Sequence, residues 1–401
     1  MAFKKPIYGR KKYKSNGVRV KNSYYTFSKE YPVGNIGGQR KADRAKKKKS
    51  VWLHAFIYTV CFALLITAAY FATNLGLKFS YKEPSVQQNV ISPATEDNKV
   101  QQSIFAEKGI KALYMPTDKL GDTKYIKKFI RRIKSKDANS VIIDFKTQDG
   151  RLAYSSSVQL AMLGKCAMFD NETVRNAIDM FKGSKINIIA GIYCFEDPII
   201  PTVDENLAVK YLNSDVTWLD KLEDDGGKPW LNPYSDDAQN YIKQIIEEVK
   251  QMGIDGFMLK SVSFPNSELT NTAGYPGEKS KNSRNSVLLN FIDSVKSSLG
   301  SEQYLLIGIN ATDALNGSDN LYFGSISKCN ADGICIDTVF RPESYEVDKK
   351  TDFSAMLSLF ANIKNGMNNT SKLVPMISMD EYSRRYIRTI TRSGYDSFIL
   401  F

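Results

Sequence analysis

Histidine is nearly absent from this chain. The one histidine, His54, lies inside a long apolar segment, so residues 78–401 contain none. Hydrolysis by a Ser-His-Asp or Cys-His arrangement needs an imidazole as proton acceptor, and most zinc sites use histidine ligands. The sequence therefore excludes these hydrolytic arrangements, and most zinc chemistry, from residues 78–401.

Cysteine is also scarce, with five residues in the whole chain. Cys61 lies in the apolar segment, and the other four are too few for a disulfide framework in a domain of this length. Cys194 and Cys335 sit in apolar, strand-like runs, which predicts buried free thiols. The cysteine spacing matches no metal motif, and no glycine-rich phosphate loop follows the first predicted strand. No cofactor is expected.

Excess positive charge is confined to one end of the chain. Residues 1–50 carry 16 lysines and arginines against Glu30 and Asp43, whereas the whole chain has a net charge of +12. This tail lacks apolar periodicity and is predicted to be disordered. Beside a membrane it would bind anionic lipid headgroups. The rest of the chain is nearly neutral, so no nucleic-acid partner is expected.

Residues 51–77 contain no Asp, Glu, Lys or Arg. A helix needs roughly 20 such residues to cross a bilayer, so this segment predicts an uncleaved signal-anchor helix. A cleaved signal peptide is the alternative, but its apolar core should be shorter. The basic residues 46–49 place the N-terminus in the cytoplasm, and the C-terminal part outside the cell. Residues 78–107 read as a polar stalk.

From residue 108 onward, short β-rich runs alternate with amphipathic helices. Apolar spacing predicts helices over 123–136, 172–181, 236–252, 285–299, 352–365 and 380–392. The predicted strands are 111–115, 140–146, 186–195, 256–264, 304–310, 333–340, 372–378 and 397–401. Eight strands alternating with helices predict an α/β fold, a (β/α)8 TIM-like barrel over residues 108–401. A doubly wound open sheet is the alternative.

Polar side chains at the strand ends of such a barrel face its binding site. Asp144, Glu196 and Asp337 are the candidate catalytic carboxylates, because glycoside hydrolysis needs a pair of them. Each has a structural alternative: an ion pair of Asp144 with Lys146 or Lys260, a loop cap for Glu196, and a salt bridge between Asp337 and Arg341. The candidate substrate-binding residues are Lys146, Tyr193, Trp230, Tyr234, Lys260, Asn310 and Arg341.

Several ordered segments carry a resemblance to a known family. They are 108–114, 141–146 with Asp149-Gly150, 188–192 with 195–198, 230–234, 253–256 and 262–265. In this order and spacing they resemble DUF4015, a bacterial family of glycoside-hydrolase-like (β/α)8 barrels. The resemblance covers about 108–401 and implies the barrel fold, with Asp144 and Lys146 retained as family residues.

The chain departs from the family pattern at the presumed site. The family's fourth strand usually ends in Phe-Asp-Tyr-Val-Arg-Phe-Pro, whereas here Lys260, Ser261 and Ser263 replace the acid, the Tyr and the Arg. Gly191 stands where the third strand has Arg, and Asn310 where the fifth strand has an acid. A lysine cannot act as the glycosidase nucleophile and an asparagine cannot act as the general acid.

The sequence therefore predicts a single-pass membrane protein of the cell envelope with an extracellular, glycoside-hydrolase-like barrel. We expect a degenerate, non-catalytic barrel that binds a cell-envelope glycan or an envelope protein. The alternative is an active glycosidase that cleaves envelope polysaccharide with Asp144 and either Glu196 or Asp337.

Overall fold

The computed structural model describes residues 108–278, 283–316, 320–337, 353–379 and 383–401. They belong to one compact unit, Asp97–Phe401. The predicted tail (1–50), membrane span (51–77) and stalk (78–107), together with Arg341, lie outside the described residues. Within the described ranges, no helix is both long enough and apolar enough to cross a bilayer.

The strands confirm the predicted barrel. Eight of them pair in parallel and close on themselves in the order β1-β10-β9-β8-β7-β5-β3-β2. The strands are β1 (Lys111–Tyr114), β2 (Ser140–Lys146), β3 (Asn187–Tyr193), β4 (Lys210–Tyr211), β5 (Gly256–Lys260), β6 (Ala273–Gly274), β7 (Tyr304–Asn310), β8 (Gly333–Asp337), β9 (Lys372–Ile377) and β10 (Phe398–Leu400). Only β4 and β6 stand outside the barrel among these strands. All eight barrel strands overlap the eight predicted runs.

Helices cover the outside of the barrel. They are α1 (Thr123–Ser135), α2 (Gln159–Leu163), α3 (Asn171–Gly183), α4 (Ile200–Val203), α5 (Asp236–Gln251), α6 (Arg284–Ser298), α7 (Ala311–Asn316), α8 (Ser354–Gly366) and α9 (Ser383–Arg392). Helix α1 shows why they form: Asp122 caps it by accepting hydrogen bonds from the backbone N–H groups of Lys124 and Tyr125. Its buried face consists of Ile126, Phe129, Ile130 and Ile133, which are the residues that predicted the helix.

Two apolar cores hold the barrel together. The larger one lies between the helices and the outer face of the strands. The smaller one fills the barrel interior and includes Ala112, Ile142, Ile189, Met258, Leu306, Cys335, Val374 and Ile399. Cys194 and Cys335 are buried free cysteines, as predicted. Burial raises the pKa of the Cys194 thiol to about 12, so this side chain stays a neutral thiol at physiological pH.

Strand β5 is shorter than its sequence predicts. The predicted run, 256–264, ends in the structure at Lys260. The next residue, Ser261, has a φ of 48°, a left-handed backbone conformation that cannot continue a strand. The chain therefore turns at the rim of the barrel and carries the Ser261 side chain sideways toward Glu196.

The two long loops that follow β3 and β5 are joined to each other. Strands β4 and β6 pair antiparallel, with Lys210 opposite Gly274. Trp218 is fully buried between the loops, and its indole Nε1 donates to the Leu269 carbonyl at 3.2 Å and to Thr272 Oγ1 at 3.1 Å. These contacts give the C-terminal face of the barrel a fixed wall on one side.

A buried ion pair fastens the end of β2 to the loop after β3. Lys146 Nζ lies 2.8 Å from Asp197 Oδ2, and neither side chain is exposed to solvent. Lys146 Nζ also donates to the Tyr193 carbonyl at 2.9 Å. The second carboxylate oxygen of Asp197 accepts from the backbone N–H groups of Ile199 and Ile200 at the start of α4. Both charges are thereby compensated by groups of the protein itself.

Removing one partner of this pair should destabilise the barrel strongly. We expect Asp197→Ala to lower the free energy of unfolding by about 3–5 kcal/mol, because Lys146 would remain as a buried, uncompensated charge. The measurement is urea unfolding of the full chain followed by tryptophan fluorescence. Asp118→Ala is the control, since it breaks an ion pair with the exposed Lys119 and should leave stability nearly unchanged. An equal effect of the two substitutions would contradict a structural role for Asp197.

Candidate functional site

A cleft opens at the carboxyl ends of the barrel strands. Its volume is about 590 Å³, comparable to pockets that hold small ligands. Among the sequence-predicted site residues, those that line it are Asp144, Tyr193, Glu196, Trp230, Lys260, Asn310 and Asp337. The parallel strands bring these side chains together because all carboxyl ends meet at one face. Within the described residues, no group of His, Cys, Asp or Glu side chains could hold a metal ion.

Lys260 and Asp144 form an ion pair at the floor of the cleft. Lys260 projects from the end of β5, and its Nζ lies 2.7 Å from Asp144 Oδ1 on β2. Each side chain is 13% exposed, so the pair is largely buried but still borders the cleft. Of the alternatives for Asp144, the structure selects the ion pair with Lys260 rather than with Lys146.

Two tyrosines enclose the Lys260 ammonium. Lys260 Nζ lies 4.4 Å from the ring centroid of Tyr114 and 4.5 Å from that of Tyr193, distances at which a cation is attracted to an aromatic ring. Lys260 Nζ also donates a hydrogen bond to Tyr114 Oη. Burial lowers the pKa of Lys260, although the nearby charge of Asp144 opposes this effect.

Burial also fixes the protonation state of the two tyrosines. It raises the pKa of Tyr114 far above its ordinary value, and the negative charge of Asp144 adds to that shift. Burial, again followed by the charge of Asp144, raises the pKa of Tyr193. Both therefore keep their phenol proton at neutral pH.

Glycine at position 191 makes room for the Asp144 carboxylate. The two residues are direct partners in the pairing of β2 with β3. A Cβ atom on residue 191 would overlap Asp144 Oδ1 and would lie 3.1 Å from its carboxyl carbon. The arginine that the resemblance implies at this position would therefore displace the ion pair. The replacements at 191 and 260 are thus parts of one arrangement.

Glu196 accepts hydrogen bonds on both carboxylate oxygens. Gln148 Nε2 donates to Oε1 at 2.6 Å, and Ser261 Oγ donates to Oε2 at 2.7 Å. Ser261 can reach Glu196 because of the left-handed turn that ends β5. Glu196 is half-buried at the cleft wall and does not cap a loop. That role belongs to its neighbour Asp197.

Asn310 and Asp337 stand side by side on the opposite wall. They end β7 and β8 and are partners in the strand register. Asn310 Oδ1 accepts from the backbone N–H of Asp313 at 2.8 Å, which caps the first turn of α7. Asp337 is half-buried at the cleft wall. The structure does not test the predicted salt bridge of Asp337 with Arg341, because Arg341 lies outside the described residues.

The structure corrects two of the predicted ligand-binding residues. Lys146 does not face the cleft, because the strand register shifts between Asp144 and Lys146 and turns the lysine into the layer that contains Asp197. Tyr234 is 2% exposed and packs its ring 5.8 Å from that of Phe264, so it belongs to the core.

Ser261 and Ser263, which the sequence places at the presumed site, also line the cleft. Its other residues were not singled out from the sequence: Tyr114, Gln148, Met258, Gly308, Ile309, Leu321, Tyr322, Met376 and Phe401. The sequence could have indicated Tyr114 as a cleft residue, because it is the last inward-facing position of β1. Gln148 and Tyr322 lie on loops, where no sequence periodicity indicates which way a side chain points.

Adding one methyl group at position 191 should disrupt the Lys260–Asp144 pair. We expect Gly191→Ala to lower the free energy of unfolding by about 1–3 kcal/mol, as overpacking of a filled interior does. The loss should shrink in an Asp144→Ser background, because the clashing carboxylate is then absent. Thermal unfolding of the full chain measures both. Gly183→Ala is the control, since a Cβ there has no neighbour within 4 Å; additive losses in the double variant would contradict the clash.

Three solved structures show a distant similarity to this chain. A hypothetical protein from Ruminiclostridium thermocellum is 21% identical, with a TM-score of 0.43, over 49% of this chain and 96% of that one. An exo-β-N-acetylglucosaminidase from Vibrio harveyi is 12% identical, with a TM-score of 0.41, over 67% and 41%. An α-amylase from Lactobacillus plantarum is 10% identical, with a TM-score of 0.46, over 73% and 70%. At these values the similarities give no information about activity.

Sequence comparison gives the family. No curated protein matches the chain. A family model described as "Putative glycosyl hydrolase domain", DUF4015, matches residues 112–312, which is half of the chain. The matched segment spans β1 to the start of α7 and contains Asp144, Gly191, Glu196, Lys260 and Asn310. The protein therefore belongs to the DUF4015 family of glycosyl-hydrolase-like domains.

Proposed function

We propose that the barrel binds a glycan of the cell envelope in this cleft without hydrolysing it. The observation that carries the proposal is the ion pair between Lys260 and Asp144. A glycosidase nucleophile must present a free carboxylate oxygen to the anomeric carbon. Here Asp144 Oδ1 is held 2.7 Å from the Lys260 ammonium group, and Lys260 stands where the resemblance implies an acid.

The second carboxylate is no better placed for acid catalysis. A general acid must present an O–H group to the leaving oxygen. Both oxygens of Glu196 instead accept hydrogen bonds, from Gln148 and Ser261. Asn310 has an amide where the family has an acid, and its oxygen is engaged in capping α7.

The remaining cleft surface suits a sugar ring. Tyr193 and Trp230 line the cleft with aromatic atoms, although Trp230 is only 9% exposed, and aromatic rings pack well against the apolar faces of sugars. Gln148, Ser263 and Asn310 supply hydrogen-bonding groups beside them. A few polar groups among apolar walls are typical of pockets that bind without chemistry as well as of active sites.

An active glycosidase is the second candidate. Asp144, Glu196 and Asp337 all line the same cleft, and a pair of carboxyl groups in one cleft is what such an enzyme requires. This candidate would need the Lys260–Asp144 pair to open when a substrate binds.

Binding without turnover is the first expected outcome. The purified full chain should be retained by insoluble peptidoglycan or by envelope polysaccharide, and no new reducing ends should appear on long incubation. Hydrolysis that is abolished by Asp144→Asn would overturn the proposal in favour of the glycosidase.

The residues that contact the sugar can be tested in the same assay. Trp230→Ala should weaken retention about tenfold, which corresponds to about 1.4 kcal/mol and is in the range for loss of an aromatic contact. Tyr125→Ala on α1 is the control, since its ring stacks on Phe129 outside the cleft. Equal effects of the two substitutions would count against a sugar site beside Trp230.

The proposal includes a location at the cell membrane. Residues 51–77 would anchor the chain once, with the basic tail inside and the barrel outside. The tail would bind anionic lipid headgroups through its lysines and arginines. An anchor of this kind would hold the cleft close to the polymers of the envelope.

Deletion of residues 1–50 separates the role of the tail from that of the anchor. The shortened chain should remain in the membrane fraction after a high-salt wash, because the apolar segment is intact. A peptide of residues 1–50 should bind vesicles that contain phosphatidylserine and should not bind neutral vesicles, with salt weakening the binding. Release of the shortened chain from membranes, or equal binding to both vesicles, would contradict this assignment.

A further inference from the structure

The Lys260 side chain combines features that a purely structural ion pair does not need. Its Nζ sits at the floor of an open cleft rather than in the closed core, with 13% of the side chain exposed. The ion pair of Lys146 and Asp197 in the same barrel is a purely structural pair by comparison, since both side chains are 0% exposed. A ligand in the cleft could reach Lys260 but could not reach Lys146.

The surroundings of Lys260 favour a reactive amine. Burial lowers its pKa, which increases the fraction of neutral amine at physiological pH. A desolvated lysine of this kind is a nucleophile toward carbonyl carbons. The groups that face it are Asp144 and Tyr114, which hydrogen-bond or pair with it, the ring of Tyr193 and the thiol of Cys335.

We propose that Lys260 is a nucleophilic amine that forms an imine with an aldehyde in the cleft, and that the aldehyde is the open-chain reducing end of a sugar. The sugar identity rests on the glycan-binding function proposed above, whereas the imine chemistry rests on the Lys260 site alone. The activity would be covalent and reversible capture of a reducing end, and it requires no glycosidic cleavage.

The contacts around Lys260 provide for each proton in this reaction. The ammonium first gives a proton to Asp144 Oδ1, its partner at 2.7 Å. The nitrogen lone pair then attacks the carbonyl carbon, a C–N bond forms, and the carbonyl oxygen takes a proton to give a carbinolamine. Asp144, which has just been protonated and lies beside the nitrogen, can donate this proton, whereas the Tyr114 hydroxyl stays neutral because burial raises its pKa.

Dehydration completes the step. The carbinolamine nitrogen gives one of its two protons to Asp144, the C–O bond breaks, and the oxygen leaves as water with that proton. The products are one protonated imine, which keeps the third proton of the ammonium, and one water, with no oxidant or reductant consumed. The aromatic rings of Tyr114 and Tyr193 lie 4.4 and 4.5 Å from the nitrogen, so they would limit water access and slow the return reaction.

Reductive trapping tests this assignment. The full chain is incubated at pH 7 with glycolaldehyde and cyanoborohydride, which reduces an imine to a stable secondary amine, and modified lysines are located by peptide mass spectrometry. We expect Lys260 to be modified at least about tenfold faster than Lys119. Lys119 is exposed and its pKa is raised by Asp118, so it stays protonated. Lys146 should remain unmodified, because it is closed off from solvent.

A conservative variant and a sugar probe complete the test. Lys260→Arg keeps a positive charge beside Asp144 and should remove the fast modification while thermal unfolding stays near that of the original chain. Glucosamine-containing oligosaccharides with a free reducing end should compete with glycolaldehyde, and the same oligosaccharides reduced to alditols should not.

The outcomes separate the imine from the glycan-binding function. Modification of Lys260 no faster than Lys119 overturns the imine, even if the chain still binds envelope glycan. Fast modification of Lys260 with no glycan binding keeps the imine and overturns the sugar as its ligand. Fast modification that persists in Lys260→Arg would place the reactive amine elsewhere and would also overturn the assignment.

Discussion

The ion pair between Lys260 and Asp144 is the contact on which the arrangement of the barrel mouth depends. It joins β2 to β5 across β3, and it can form only because residue 191, between them, has no side chain. An ammonium group in a largely buried position is unfavourable unless it is paired. Asp144 supplies the opposite charge, and the rings of Tyr114 and Tyr193 supply further compensation. The floor of the cleft is thus occupied by the Lys260–Asp144 ion pair and the two tyrosine rings, in which the opposite charges balance.

A second ion pair, between Lys146 and Asp197, lies in the core behind the cleft and positions part of its wall. A register shift in β2 turns Lys146 away from the cleft and toward Asp197, so Lys146 and Lys260 form ion pairs in separate layers of the barrel. Asp197 accepts hydrogen bonds from backbone N–H groups at the start of α4, and its neighbour Glu196 lies at the cleft wall. The two carboxylates of this dipeptide therefore have different surroundings: one is closed in the core, and the other accepts hydrogen bonds at the surface of the cleft.

The sequence was sufficient for the barrel, since periodic apolar residues specify both strands and amphipathic helices over many positions. It was also sufficient to bring seven predicted side chains to one cleft, because parallel strands share a carboxyl end. The features that the sequence did not predict each depend on one or a few residues. The early end of β5 depends on the single left-handed residue Ser261, and the inward or outward direction of Lys146 depends on one extra residue in β2. The pairing of β4 with β6 involves two residues on each side, which is too short to leave a periodic signal.

The missing side chain at position 191 also constrains which neighbouring sequences the fold can accept. An arginine at 191 would collide with Asp144 while Lys260 remained, and an aspartate at 260 without that arginine would leave two carboxylates facing each other with no cation between them. Each of these single substitutions is therefore unfavourable by itself. Positions 191 and 260 are therefore energetically coupled through the Asp144 carboxylate, so the cost of a substitution at one depends on which residue occupies the other.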